Sequence, residues 1–322
     1  MTARRVLVTD ISWPDTGVEQ AVLARAGAEL VLAPTGAETE LVELVRDADA
    51  ILTCFAHVTP AVVAAGERLR VISRYGIGID NIAVAEATAR GIPVTNVPAY
   101  CLDEVAEHVL AMILSLVRGL HRYDRAVRAG DWSLPTGLPT RRVRGTTLGI
   151  VGFGRIGETL AQKARALGIE VIAHDPHSPQ RARAVGVEVV DLLELAARAD
   201  YVSLHVPATP ETTGMIGTEF LAAMKPTAYL VNAARGALID QDALVAALAA
   251  GEIEGAGLDV FVPERLPANH PLLASDRVLA TPHTAFYSEE SMAELARLAA
   301  ENVAAVLDGR HPAAIVNPEV LA

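Results

Sequence analysis

Short β-branched runs alternate with alanine-rich stretches of helical spacing from one end of this chain to the other. A brief apolar run bounded by turn residues reads as a strand buried on both faces. Such strands alternating with helices make a parallel sheet covered on both sides. Two sets of strands separate. The first comprises RRVLVTD, AELVLA, AILTC, RVISRYG and IPVTNV and ends near Val97; the second comprises TTLGIVGF, EVIAHD, YVSLHV, AYLVNAA, GAGLDV and RVLATPH. Six strands in the second set match a complete doubly wound dinucleotide fold. The pattern therefore predicts an α/β protein with two doubly wound parallel sheets.

Between the sets, Val105, Val109, Met112 and Leu116 form one helical stripe, and Leu110, Ile113, Leu114 and Val117 carry the apolar surface most of the way round. A surface helix shows one apolar face. This one predicts packing on its own domain on one side and on a second subunit on the other, with complete burial within one chain as the alternative. The segment SLPTGLPTRRVRG, Ser133 to Gly145, has the proline, glycine and arginine content of a loop leading into the second set. A helix beginning SEESMAEL closes the chain.

The 322 residues are 51% hydrophobic, enough for a sizeable core and about two domains. A net charge of −12 argues against nucleic acid or an anionic membrane as an electrostatic partner. Cys54 and Cys101 are the only cysteines, which suits a reducing cytoplasm. The first apolar run stops at Asp10, too early for a signal peptide, and VLAMILSLV from Val109 falls far below the roughly 20 residues of a membrane span. His57, His121 and His311 lack ligand spacing, so no metal site is expected.

The chemistry starts at GIVGFGRIG. Gly152 suits a tight turn, Gly154 lets the backbone approach a pyrophosphate, and Gly157 lets the following helix pack closely. N–H groups at that helix start would hold the phosphates. The next strand ends in Asp175, near the spacing expected of the acid that binds an adenosine ribose. A carboxylate there accepts from the 2′-hydroxyl and repels a 2′-phosphate, which favours NAD over NADP, although Arg181 and Arg183 follow nearby.

Oxidising an alcohol beside a nicotinamide requires a general base, a cation to polarise the carbonyl and a grip on the substrate. These groups belong outside the carboxyl ends of the strands. Arg235 in VNAARGALID, Glu264 after GLDVFVP and His283 in TPHTA all stand at such ends. By itself His283 reads as a polar residue marking a strand end; beside the other two it reads as an acid/base. A neighbouring carboxylate favours the imidazolium form of a histidine and fixes its ring. The planar fork of Arg235 suits a substrate carboxylate.

The motifs RYGIGIDNI, VPAYCLDEVAEH, GIVGFGRIG, LHVPATPET, VNAARGALID, GLDVF and TPHTA, in this order, resemble those of the D-isomer-specific 2-hydroxyacid dehydrogenases, the family of phosphoglycerate and glycerate dehydrogenases. The resemblance spans nearly the whole chain. It implies a Rossmann NAD-binding domain over 100–285 inserted into a flavodoxin-like substrate domain over 1–99 plus 286–322, and a homodimer through the helix after Tyr100. It gives Arg235, Glu264 and His283 the catalytic roles. It assigns Asp259 to the nicotinamide carboxamide, Ala233 to the ring, Arg155 and Ile156 to the pyrophosphate, and Pro207 and Thr212 to the cofactor's border. Tyr75, Gly76, Ile77 and Gly78 resemble the loop whose N–H groups grip the substrate carboxylate, with Arg74 behind it. The family commonly has proline after the catalytic glutamate; here that position is Arg265.

The implied activity is reversible NADH-dependent reduction of a small 2-oxo acid to a D-2-hydroxy acid. Two other readings stay open at this level. RYGIGIDNI and VPAYC also resemble C-terminal-binding-protein corepressors, which bind NAD(H) and act through protein contacts, and Arg74 with Arg265 would suit a phosphonate or inorganic anion. The substrate side chain depends on loop shapes around Phe55, Tyr75, Tyr100 and Arg265.

Overall fold

A computed structural model describes residues 4–133 and 140–321. Residues 134–139, part of the proline- and glycine-rich stretch Ser133 to Gly145 expected as a loop before the second set, lie outside the described residues. The chain divides into two compact units, one formed by Met1–Tyr100 with Ser288–Ala322 and one by Cys101–Tyr287.

The first unit is built on a five-stranded sheet of β1 (Arg4–Val8), β2 (Ala28–Leu32), β3 (Ala50–Thr53), β4 (Val71–Arg74) and β5 (Val94–Thr95). All pairs are parallel and the order is β2-β1-β3-β4-β5, the flavodoxin-like winding. Every residue of β3 and β4 is buried, as expected of strands covered on both faces. Helix α1 (Gly17–Arg25) and the closing helix, Glu289–Leu307, pack on each other, and the closing helix also covers β3 and β4. The Ser73 hydroxyl donates to the Ala299 carbonyl at 3.1 Å, tying that helix to β4.

The second unit has seven parallel strands: β6 (Thr147–Val151), β7 (Glu170–His174), β8 (Glu188–Val189), β9 (Tyr201–Leu204), β10 (Tyr229–Asn232), β11 (Gly255–Leu258) and β12 (Val278–Ala280). Their order, β12-β11-β10-β9-β6-β7-β8, reverses between β6 and β9, where a doubly wound sheet opens its ligand crevice. The sequence pattern shows six of these strands. The seventh, β8, is two residues pairing at the edge of β7, too short to carry any period.

Helix α2 (Leu102–Arg118) packs on its own unit, as expected of one of its sides. Its apolar residues Ala106, Val109, Leu110, Met112, Ile113, Leu116 and Val117 all belong to the core of the second unit, packed over β10 and β11 and against α4 (Arg155–Ala166). The missing side chain of Gly257 makes room, since a Cβ there would lie 3.1 Å from the Met112 sulfur. Leu114, which extends the apolar surface, is only half-buried. The exposed apolar residues come just after it: Leu120 and Val127 on α3 (Leu120–Arg128), and Trp132, which is 79% exposed.

Candidate active site

The glycine loop follows β6, at the edge of the crevice between β6 and β9. Gly152 has φ +90°, and a Cβ there would sit 2.6 Å from the His205 carbonyl oxygen, so any side chain collides with the neighbouring strand's extension. Gly157 faces the same obstruction, 2.7 Å from the Gly152 carbonyl. At Gly154 a Cβ would meet nothing within 4 Å, so the backbone faces open space there. Gly154 caps α4 without a side-chain bond, which leaves the first-turn amides of Arg155, Ile156 and Gly157 to meet an anion. These features fit a dinucleotide pyrophosphate.

Asp175 follows β7 directly. Its Oδ2 accepts from the Phe153 amide at 2.8 Å, and its Oδ1 accepts from the His177 and Ser178 amides at 3.0 and 2.7 Å. The carboxylate therefore joins the glycine loop to the turn after β7, with an acceptor position left for a ribose hydroxyl. Arg181 ion-pairs with Glu158 at 3.2 Å, which sets a carboxylate beside one of the two cations that follow Asp175. Across the crevice, Thr212 Oγ1 donates to the Pro207 carbonyl at 2.7 Å and accepts from the Thr209 amide at 2.8 Å, bracing the loop after β9. Ala233 follows β10 directly.

The three candidate catalytic residues stand at the carboxyl ends of three adjacent strands, β10, β11 and β12. Arg235 comes three residues after β10. The fully buried Asn232 shapes its turn: the Asn232 amide donates to the Arg235 carbonyl at 2.8 Å and accepts from the Ala234 amide at 3.0 Å. Glu264 stands beyond β11 and His283 beyond β12. His283 Nδ1 and Glu264 Oε1 are 2.5 Å apart. The histidine side chain is 23% exposed, so the ring is anchored at Nδ1 with a face still open to a ligand. Arg265 is exposed.

His283 has φ +55°, the one positive value at a non-glycine residue among those described. A left-handed conformation costs a side chain about 1–2 kcal/mol, and here Asp259 holds it. The Asp259 carbonyl accepts from the His283 amide at 2.7 Å, and its two carboxylate oxygens accept from the Thr284 and Ala285 amides, both at 2.9 Å. Asp259 is fully buried and also accepts from the Thr281 hydroxyl at 2.5 Å. Thr281 in turn contacts His108 Nε2 at 3.0 Å. Sequence reasoning assigned Asp259 to the cofactor and gave Asn232, Thr281 and His108 no role. All four stand inside motifs of the sequence, Asn232 in VNAARGALID, Asp259 in GLDVF, Thr281 in TPHTA and His108 at the end of VPAYCLDEVAEH, but nothing in those motifs shows that they meet.

In the first unit, Arg74 ends β4 and is buried. Its Nε donates to Asn81 Oδ1 at 3.0 Å, its Nη1 donates to the Tyr75 carbonyl, and its guanidinium lies 5.9 Å from the Phe55 ring centroid. Tyr75 is buried with its hydroxyl on Glu19 at 3.0 Å; burial, and then the Glu19 charge, push that phenol well above its ordinary value. The Tyr75 and Gly76 amides donate to the Thr53 and Arg74 carbonyls. Of the four loop amides, those of Ile77 and Gly78 are left for a ligand. Neither cysteine is a nucleophile candidate: both are buried, neither is in a disulfide, and burial pushes the Cys54 thiol up to about 12. Among the described residues no cluster of histidine, cysteine and carboxylate side chains could hold a metal ion.

A glycine loop at a sheet reversal, with a histidine–carboxylate pair and an arginine at neighbouring strand ends, is the arrangement a nicotinamide-dependent dehydrogenase needs. Residues 110–285 match the D-isomer specific 2-hydroxyacid dehydrogenase, NAD binding domain. The chain is 42% identical over 288 residues to a glyoxylate reductase of Thermofilum pendens, covering 88% of this chain and 85% of that one. It is 39% identical over 316 residues to D-3-phosphoglycerate dehydrogenase of Methanocaldococcus jannaschii, covering 97% of this chain and 59% of the relative. A D-lactate dehydrogenase from Aquifex aeolicus, solved with NAD and lactic acid, superposes with a TM-score of 0.89 at 30% identity over 98% of this chain and 99% of that one. The chain belongs to the D-isomer specific 2-hydroxyacid dehydrogenase family. Its cofactor is NAD and its reaction interconverts 2-oxo acids and D-2-hydroxy acids.

Proposed function

We propose that this enzyme reduces a short, unphosphorylated 2-oxo acid of the glyoxylate class, with His283 as the proton donor. The observation that carries the reading is the 2.5 Å contact between His283 Nδ1 and Glu264 Oε1 on a loop closed by a buried aspartate. Bound NADH supplies the hydride to C2 of the oxo acid. His283 delivers a proton from Nε2 to the C2 oxygen, while Glu264 holds the ring by Nδ1 and stabilises its charged form. Arg235 pairs with the substrate carboxylate and polarises the adjacent carbonyl. Within the first unit, the amides of Ile77 and Gly78 are the candidates for holding an anionic group. The similarity to glyoxylate reductases supports the choice of a small acid.

The test is NADH oxidation at 340 nm against glyoxylate, hydroxypyruvate, pyruvate, a phosphorylated oxo acid and a phosphonate analogue, with His283→Ala alongside. We expect turnover on the small acids and a loss of about 10²- to 10⁴-fold in kcat for the variant, with NADH binding kept. Tight NADH binding without turnover on the whole panel would sink the reading.

The enzyme is a homodimer in this proposal, through α2 and the region that follows it, where Leu120, Val127 and Trp132 are exposed. Light scattering should return twice the chain mass. Among the described residues no helix is long and apolar enough to cross a membrane. Two buried cysteines outside any disulfide support a cytoplasmic location.

A further inference from the structure

His283 does not hold its own backbone. Asp259 captures three consecutive amides, those of His283, Thr284 and Ala285, the first with its carbonyl and the others with its two carboxylate oxygens. That arrangement works in one rotamer of the aspartate only. A rotation of its carboxylate would release the Thr284 and Ala285 amides, and with them the left-handed turn at His283.

Two side chains outside the substrate-contacting set fix this rotamer. The Thr281 hydroxyl donates to Asp259 Oδ1 at 2.5 Å. A threonine hydroxyl has one proton, and here it is committed to the carboxylate, so the oxygen can only accept from His108 Nε2, 3.0 Å away. His108 therefore carries a proton on Nε2. That nitrogen also lies 3.7 Å from Asp259 Oδ1, placing a donor on the same side of the carboxylate as the threonine. His108 projects from α2, whose apolar residues are locked into the core over β10 and β11, so the chain of contacts is anchored to the rigid part of the unit. The path runs from α2 through His108, Thr281 and Asp259 to the backbone of His283.

We propose that His108 and Thr281 are positioning residues for the acid/base: by orienting Asp259 they hold His283 in the left-handed turn that aims its imidazole. The proposal rests on the reading of His283 as the proton donor. Neither residue touches substrate; their effect is on the fraction of enzyme in which the imidazole is aimed.

The test compares Thr281→Val, which keeps the volume and removes the hydroxyl, with Thr281→Ser, and His108→Ala with His108→Gln, whose amide can still donate. Steady-state kinetics with NADH and glyoxylate, NADH binding by fluorescence and thermal melting are measured for each, with His283→Ala as the control. Thr281→Val and His108→Ala should lower kcat by tenfold or more while KM for glyoxylate changes less than threefold and the protein melts as a folded chain. Thr281→Ser and His108→Gln should return kcat to within threefold of the parent. The double variant should be little worse than either single one, because both act through one carboxylate. Parent-like kcat in Thr281→Val and His108→Ala, or losses that multiply in the double variant, would overturn the proposal. If those variants are active and His283→Ala is inactive, the positioning idea alone fails. If His283→Ala is itself active, the proton-donor reading fails first.

Discussion

The glycine loop after β6 and the histidine loop after β12 solve a similar problem in opposite ways. Both turn the chain sharply at the carboxyl end of a parallel strand, and both use a positive φ, at Gly152 and at His283. In the first the strain is avoided by deleting the side chain, and the backbone itself becomes the ligand-facing surface. In the second the side chain is the point, so the left-handed conformation is imposed on a residue that resists it and is held by a buried carboxylate. One region is shaped chiefly by its own glycines, with Asp175 joining it to the turn after β7; the other needs β11, β12 and α2 together. Backbone-built sites are locally encoded, whereas a side-chain site in a strained turn depends on its surroundings.

Three substitutions would sharpen that contrast. The largest effect belongs to Gly152→Ala, which adds a methyl 2.6 Å from the His205 carbonyl at φ +90°. Overpacking of this kind costs about 1–3 kcal/mol and the backbone strain about 1–2 more, so denaturant melts should show a loss of roughly 2–5 kcal/mol together with lost NADH binding. Next comes Asp259→Asn. Its amide group must face the Thr284 or Ala285 N–H, donor against donor, which leaves a buried group unsatisfied at about 1–3 kcal/mol. A fall of roughly 100-fold in kcat with only moderate destabilisation is expected; unchanged turnover would show that the left-handed turn holds without its carboxylate. Gly154→Ala should be the mildest. Its φ is −79° and a Cβ there would meet nothing, so stability should stay within about 0.5 kcal/mol of the parent. NADH affinity should still drop by about tenfold, roughly 1.4 kcal/mol, because the methyl occupies the pyrophosphate's approach. A stability loss at Gly154 like that at Gly152 would erase the distinction.

Much of the nucleotide side was legible from spacing. Gly152, Gly154, Gly157 and Asp175 lie within two strands and one helix, and the roles of glycine in such a turn follow from the absence of a Cβ. Arg235, Glu264 and His283 were legible as residues at strand ends, because a parallel sheet puts every such end on one side. Other features were not. The close approach of Met112 and Leu116 of α2 to β11 uses the bare Cα of Gly257, more than a hundred positions away, and periodicity reports only which faces are apolar, not what covers them. The two-residue β8 has no period to detect. His108 and Thr281 are 173 residues apart, and although each stands within a motif, nothing in the sequence pairs them.

The order of apolar runs and punctuating glycines in this sequence by itself determined a doubly wound α/β protein with a dinucleotide loop, since those signals are short-range and written in steric terms. The tertiary structure alone decided which polar groups meet. It brought Glu264 to His283 Nδ1 and turned Asp259 inward onto three amides, and it set His108 behind Thr281. The physical reason is that a hydrogen bond is decided over about 3 Å, and positions far apart in the chain come that close only when β10, β11 and β12 lie side by side beneath α2.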